Sequence, residues 1–413
     1  MGLLIDKVRS TLGKDLPRES KTQYSFKTGI DVIDYRNGYL VTSDKIKPYY
    51  SVGIPEGTYV LFIGRSGSGK TTIALQIAAN IVKPYENGAI FHYDIEAATT
   101  RERFKQISRW TDDEIDEKYV HFDVGITAES FYSGIKRIYD NKMELKDSLT
   151  VDTDKLDTKG NVISILEPTV VILDSLAMLV PKNISDEEEL SGSMSATAVA
   201  KVNSAIFQRI IPLIKEANII LIVINHINTK ININPMMPTK SDINYLKQDE
   251  TIPGGKKPLY NANNIFRIDP ASKLTKDKEF GIDGFMNTIT FIKSRTNRAG
   301  QESSVVFNQY RGIDNVYTNY NLLKQEKLIG GAGRSFYLIN YPDVKFSQKE
   351  LKKKYATDKD FRIAFKKEVR NVLRQYIDID NNEDDMDNNL EESNVSSKEE
   401  VIERKTSRSK SSK

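Results

Sequence analysis

The sequence predicts an α/β fold built on a mostly parallel central sheet with helices on both faces. Three observations carry this expectation. An apolar run, Val60 to Ile63, leads directly into G-R-S-G-S-G-K-T-T (Gly64 to Thr72) and then into the amphipathic stretch ending at Val82. Strand-like and helix-like segments alternate after it. A second apolar run, from Thr169, ends in Asp174 and Ser175.

Along the chain, residues 1–25 read as a short amphipathic helix (Leu3, Leu4, Val8, Leu12) followed by a polar linker. Phe26 to Gly53 precedes the first core strand and carries a polar insertion around Val41 to Tyr50. The core then runs Val60–Ile63, Thr71–Val82, Ala89–Asp94, Thr100–Trp110, Tyr119–Asp123, Ala128–Tyr139 and Val170–Leu173. Met143 to Ser164 is polar and turn-rich and reads as an exposed excursion. A helix from Ala196 to Ala217 and a buried strand from Ile219 to Asn225 follow, then a long polar stretch to Lys257. Gly284 to Ile292 and Glu302 to Gln309 are two further strands, and Lys345 to Leu373 is helical and basic. The predicted organisation is an appendage at 1–25, a core at 26–335, a small C-terminal domain at 336–377 and a disordered tail at 378–413.

Composition narrows the function classes. The chain has 413 residues and no cysteine, which excludes disulfides and thiolate zinc sites and suits a reducing compartment. Its N-terminus lacks the apolar stretch of a signal peptide, and its longest apolar runs are strand-length. A soluble, cytoplasmic protein is expected. The net charge of +3 conceals an acidic segment from Asp378 to Glu400 beside a more basic body. That pattern suits either a polyanion partner with a competing tail or a solubilising disordered end.

G-x-x-x-x-G-K-[ST] between a strand and a helix is the pattern of a phosphate-binding loop. Backbone amides of Gly64, Arg65, Ser66, Gly67, Ser68 and Gly69, with Lys70, Thr71 and Thr72, surround phosphate oxygens in such a loop. Lys70 is expected to reach the β- and γ-phosphates, and the Thr71 hydroxyl to hold Mg²⁺. Asp174, at the end of its apolar run roughly a hundred residues on, is expected to bind the same ion through water. In F-H-Y-D-I-E, Glu96 is placed to polarise a water attacking the γ-phosphate, with Asp94 its competitor or a helix cap. In I-V-I-N-H-I-N, His226 opens a long loop at the same sheet edge; it is either a structural histidine or a sensor of the γ-phosphate.

Taken in this order, these pieces resemble the RecA family of homologous-recombination ATPases, most closely its branch in T4-like phages. The P-loop with T-T, Y-D-I-E, V-V-I-L-D-S-L-A-M-L, I-N-H-I-N, P-G-G-K-K-P-L-Y-N-A-N (Pro253 to Asn263) and F-I-K-S-R-T (Phe291 to Thr296) carry the likeness. F-R-I-A-F-K-K (Phe361 to Lys367) points to the phage branch. The resemblance implies a RecA-type P-loop NTPase core with an N-terminal oligomerisation segment, using ATP and Mg²⁺. It makes Glu96 the water-activating carboxylate and His226 the sensor. Lys293 and Arg295 become cations that reach a neighbouring protomer's γ-phosphate, where residues alone suggest only exposed strand charges. Where the family stacks a tyrosine on adenine, this chain offers Arg103 and Phe104, and the resemblance does not choose between them.

The resemblance also implies two DNA-contacting loops. The first spans about Asn183 to Thr197, with Met194 as an inserted apolar side chain and Lys201 as a phosphate contact on the next helix. The second runs from Asn228 to Gly255, with Ile231 at an intercalating position and Lys230, Gly254, Gly255, Lys256 and Lys257 supplying backbone and charge. The implied activity is ATP-dependent filament formation on single-stranded DNA, then pairing and strand exchange with duplex DNA. The implied partners are single-strand-binding and mediator proteins. A ring-shaped replicative helicase on the same core is the rival enzyme, although helicases of that type resemble D-Y-L-Q where this chain has D-S-L-A-M-L. A non-hydrolysing DNA-binding mediator is the rival of another class.

Overall fold

Apolar runs separated by helices pair side by side, and nine strands form the central sheet of the computed structural model. In chain order they are β1 (Tyr59–Gly64), β2 (Ala89–Asp94), β3 (Tyr119–Phe122), β4 (Thr169–Asp174), β5 (Ile219–His226), β6 (Asn264–Leu274), β7 (Gly284–Lys293), β8 (Glu302–Asn308) and β9 (Gly312–Ile313). Across the sheet they lie in the order β9-β8-β7-β6-β1-β5-β4-β2-β3. Pairing is parallel from β3 across to β6 and antiparallel from β6 to β9. The structure describes residues 7, 23–185, 192–229, 245–247, 249–275, 280–333 and 335–378, with backbone alone for 192–197. The expected N-terminal helix (Leu3, Leu4, Val8, Leu12), Lys230, Ile231 and the tail beyond 378 lie outside the described residues.

Alternation along each strand divides the core into two layers. Val60 and Phe62 of β1 pack into one apolar cluster with α1 (Lys70–Val82) and α6 (Asn315–Gln325). Tyr59, Leu61 and Ile63 face the other way, against α3 (Ala128–Glu144) and α4 (Gly192–Glu216). The helix α2 (Arg101–Ser108) starts on Thr100, whose side chain accepts from the Arg103 amide, and α3 starts on a capping box made by Thr127 and Ser130. α1 differs, because Gly69 at its N-cap offers no side chain. Its first-turn amides are left for another acceptor.

The architecture is the expected α/β one, with a large, mostly parallel sheet and a small C-terminal region. Two elements of the core depart from the sequence reading. β6 escaped it, because Arg267, Asp269 and Pro270 interrupt the apolar pattern and the pairing shifts register between Pro270 and Ser272. The polar excursion is ordered: Thr150–Leu156 pairs with Val162–Leu166, and Ile163 and Ile165 enter the core. That hairpin meets a second one, Tyr39–Ser43 with Ile46–Ser51, where the Tyr49 hydroxyl donates to the Leu156 carbonyl at 2.8 Å.

At the C-terminal end, Ile329–Ala332, Ser335–Leu338 and Tyr341–Phe346 form a three-stranded meander, so one strand crosses position 335/336. Helices follow at Leu351–Thr357 and 359–378. Phe346, Leu351, Phe361, Phe365 and Leu373 join the same apolar cluster as Ile33 and Val60. The Arg36 guanidinium lies 3.4 Å from the Tyr376 ring centroid, which fastens the last helix to the start of the core. Among the described residues, no helix is long and apolar enough to cross a membrane.

The turn before the short helix Asp31–Arg36 rests on a buried acid. Asp34 Oδ1 accepts from the Thr28 amide at 2.8 Å and from the Thr28 hydroxyl at 2.6 Å. Burial nevertheless pushes its carboxyl up to about 7 from 3.8. The folded chain therefore holds a proton there that the unfolded chain releases above its own, lower value. Stability is full below about pH 4 and falls as pH rises to about 7, by about 1.4 kcal/mol per pH unit. Asp34→Asn keeps an acceptor oxygen and should remove this slope; urea unfolding of both proteins across that window tests it, and identical profiles would refute a neutral Asp34.

Candidate active site

Parallel register sets out the site. Asp174 of β4 is paired with Asp94 of β2 on one side and Ile224 of β5 on the other, and His226 of β5 is paired with Gly64 of β1. The carboxyl ends of four strands thus deliver the P-loop, two acids and a histidine to one edge of the sheet. In open α/β sheets this is the edge where ligands bind.

The P-loop fits a polyphosphate. Gly69 has φ +89°, and a Cβ there would stand 2.6 Å from the Phe307 ring of β8. Gly67 has φ +74°, and a Cβ there would meet nothing within 4 Å, so its surroundings are open. Ser68 Oγ is buried and has no hydrogen-bond partner, and the Ser68 carbonyl accepts from Asn287 Nδ2 at 3.0 Å. Lys70 is buried and folds back over the loop, with Nζ donating to the carbonyls of Gly64 (3.0 Å) and Arg65 (2.8 Å). Burial lowers its pKa, against the pull of Asp174 and Glu96. A phosphate would replace carbonyl dipoles with full negative charge as its partner, and the bare N-terminus of α1 adds its amides.

The two residues expected to hold a metal ion are already in contact. Thr71 Oγ1 donates to Asp174 Oδ2 at 2.5 Å. Burial pushes the Asp174 carboxyl up to about 6, only partly offset by Thr71. These two oxygens suit a hard divalent ion such as Mg²⁺, which would hold the carboxylate ionised. The Asp174–Ser175 peptide is cis.

Glu96 lies beside this pair. Its Oε1 accepts from the Ser175 hydroxyl at 2.7 Å and is 2.9 Å from His226 Nε2. Burial raises its pKa, but the His226 and Ser175 contacts outweigh that and leave it lowered, so the carboxylate is ionised at neutral pH. Asp94, its competitor, is fully buried; its Oδ2 accepts from the Thr99 amide at 2.8 Å in the turn before α2. Of the two acids, only Glu96 is open to a water. Its neighbour His226 begins the long loop, and Asn225 before it donates from Nδ2 to the Pro253 carbonyl at the loop's far end (2.7 Å).

The other candidate residues fall in three places. Phe104 is fully buried and stacked on Tyr119 at 3.7 Å, so it has no face for a base. Arg103 instead bridges α1 and the end of β8, donating to Thr72 Oγ1 (3.1 Å) and to the carbonyls of Gln309 (2.6 Å) and Tyr310 (3.1 Å). Gly254 and Gly255 close against Leu176 and Ala200, so α5 (Lys256–Asn261) starts beside the exposed Lys201 of α4. Lys257 is exposed on the first turn of α5, after Lys256. Met194 lies in the first turn of α4, where only the backbone is described.

Lys293 and Arg295 are elsewhere. Lys293 is paired with Ile265, which is paired with Leu61, two strands from β1 and toward the end of it opposite the P-loop. Both side chains converge on the Tyr260 carbonyl, at 2.7 Å and 3.4 Å. Burial, then the neighbouring Arg295, lowers the Lys293 ammonium to about 8.

Sequence reasoning missed three features. In the sequence Ser175 is only the end of a motif, and nothing there singles out Asn287. Arg267 is hidden inside β6; it makes a two-pronged pair with Glu250 and a third bond to Asp269. Glu250 belongs to a strand, Glu250–Thr251, that pairs with Asn228–Thr229, so the long loop is closed at its base and anchored to the sheet. Alternating charges on a strand were the only available signal.

Gly67→Ala and Gly69→Ala separate strain from crowding. Each should lose about 1–2 kcal/mol from its left-handed backbone. Gly69→Ala should lose more and weaken ATP binding further, because its methyl meets Phe307. Urea unfolding and titration with a fluorescent ATP analogue check this; equal losses would remove Phe307 from the argument.

Residues 37–229, from the first hairpin through β5, match the family described as AAA domain. The chain is 24% identical over 340 residues to protein RecA of Clostridium tetani, covering 79% of each. It is 25% identical over 311 residues to protein RecA of Aquifex aeolicus, covering 74% of each. It is 24% identical over 360 residues to the mitochondrial DNA repair protein recA homolog of Dictyostelium discoideum, covering 85% of this chain and 68% of that one. The chain is thus similar to RecA proteins at low identity well beyond the nucleotide site, and that site lies in the region that matches the AAA domain.

Proposed function

We propose that this chain is an ATP-dependent DNA recombinase of the RecA type, in its phage-like form, working in a cell's cytoplasm. The observation that carries the reading is the Glu96 carboxylate held by His226, at the mouth of the loop that runs to Gly255. A nucleotide at the P-loop and a strand of DNA at that loop would then act on the two ends of one hydrogen bond. When bound, Mg²⁺ supplies charge neutralisation on the phosphates and joins Thr71 and Asp174. Lys70 binds phosphate oxygens, the P-loop amides orient them, and Glu96 orients and deprotonates the attacking water. His226 exchanges its bond to Glu96 for one to the γ-phosphate and reports that change to the loop.

The DNA surface in this reading is formed by the segment around Met194 with Lys201, and by the second loop with Lys230, Ile231 and the Gly254 to Lys257 turn. Backbone contacts there give affinity without reading bases, and sequence is read by pairing between strands. Lys293 and Arg295 serve the neighbouring protomer in a filament. Their place near the other end of the sheet from their own P-loop supports that use in trans. The N-terminal segment 1–25 packs on a neighbour, the core 26–335 carries chemistry, 336–377 forms the small C-terminal unit, and the acidic tail restrains DNA access. Single-strand-binding and mediator proteins are its partners.

Electron microscopy with single-stranded DNA and a non-hydrolysable ATP analogue should show extended helical filaments; closed rings would favour a helicase. ATP hydrolysis should rise with single-stranded DNA. Glu96→Gln should keep ATP binding and lose about 10²–10⁴-fold in turnover. Mixing Glu96→Gln with Arg295→Ala tests the trans arrangement. Each alone is inactive, but the first lends its cations to sites of the second, so the mixture should regain activity. No regain would put Arg295 in its own site or outside catalysis.

A further inference from the structure

Two of the chain's three histidines lie outside the site described above. His92 of β2 is paired in register with His121 of β3, and Asp94 is two residues along the same strand from His92. Period-two alternation puts all three side chains on one face of the sheet. One ring nitrogen from each histidine and one Asp94 oxygen lie within 4.8 Å of one another. His121 Nε2 is 3.2 Å from Asp94 Oδ2, and the two imidazoles stack with centroids 5.1 Å apart.

This cluster has unspent binding capacity. His92 and Asp94 are fully buried, yet His92 Nε2 and Asp94 Oδ1 have no hydrogen-bond partner. Buried polar atoms are nearly always paired, and leaving one unpaired costs about 1–3 kcal/mol. Here two fall in one cluster. His92 Nδ1 is 2.9 Å from the Tyr119 hydroxyl. When Nδ1 donates that bond, the tautomer leaves a bare lone pair on Nε2, the outer-shell arrangement that orients a metal-binding histidine. His121 is partly exposed and gives an approach from the sheet edge.

We propose that His92, Asp94 and His121 form a second cation site, for a divalent transition ion of the zinc class. Two imidazoles and a carboxylate match that ion's preference for nitrogen and oxygen donors, and a water through the exposed side completes four. Donors around a tetrahedral zinc are about 3.4 Å apart, so the group closes by roughly an ångström on binding. The site uses different side chains from Thr71 and Asp174. It ties edge strand β3 to β2 and holds Asp94, whose Oδ2 carries the Thr99 amide at the entry to α2. Zinc is thereby linked to the strand that leads into Glu96, although the proposal stands without the recombinase reading.

The test uses the full chain with excess Mg²⁺ present, to occupy the Thr71–Asp174 position. Equilibrium dialysis with Zn²⁺ should give one ion per chain, and Co²⁺ should give the visible bands of low coordination. His121→Ala should weaken binding at least about ten-fold, while His226→Ala should bind as the parent does. Because the chain has no cysteine, His121→Cys supplies a direct signature: bound Co²⁺ should gain a thiolate charge-transfer band. Circular dichroism confirms that each variant is folded. No bound Zn²⁺, unchanged binding in His121→Ala, loss in His226→Ala, or Co²⁺ bound by His121→Cys without the thiolate band would each overturn the site.

Discussion

Parallel pairing in register is the constraint on which the rest of the molecule depends. Asp94, Asp174 and Ile224 form one row across β2, β4 and β5, with Gly64 opposite His226 one strand further on. A slip of one residue in these pairs would turn Asp94, Asp174 or His226 from the ligand edge into the opposite apolar layer. The buried strands on both sides of the site prevent that slip. Val170 to Leu173 and Ile219 to Val223 are fully buried, and each apolar side chain opposes exchange of its face.

That arrangement brings charge to a partly buried edge, and the polar contacts follow from the need to satisfy it. Asp174 is kept by Thr71, Glu96 by Ser175 and His226, and Lys70 by two loop carbonyls. The contacts of Lys70 and Asp174 are of the kind that a phosphate and a divalent ion would replace with stronger ones. The loop between β5 and β6 is held the same way. Arg267 is buried because Glu250 and Asp269 satisfy its guanidinium, and removing one partner of such a group costs far more than a surface pair. The loop therefore leaves the sheet from a fixed base, next to a histidine that touches the nucleotide-side carboxylate.

The parts legible from sequence were those whose chemistry is local. G-R-S-G-S-G-K-T-T states its own turn and helix start within nine residues, in the pattern of a phosphate-binding loop, and the Asp174 strand announces itself by four apolar neighbours. β6 was not legible, because its apolar residues alternate with Arg267, Asp269 and Pro270, whose partners are distant. The hairpin Thr150–Leu156 with Val162–Leu166 looked like an exposed excursion because most of its residues are polar. Only Ile163, Ile165 and Leu166 are fully interior, with Val151 half-buried against the core. Phe104 and Arg103 were indistinguishable as neighbours in the chain, and burial separated them.

By itself the sequence determined the α/β alternation, the phosphate loop and the identity of the acids at the strand ends. Those follow from backbone sterics, apolar periodicity and side-chain chemistry, which act over a few residues. Tertiary structure alone decided which acid is open to water, that Ser175 and His226 share Glu96, and that Arg267 anchors the long loop. It also decided that His92 and His121 stand side by side, and that Lys293 and Arg295 lie away from their own P-loop. The physical reason is that desolvation and hydrogen bonding depend on what lies across a strand or beneath a helix, and those neighbours are brought together only by folding.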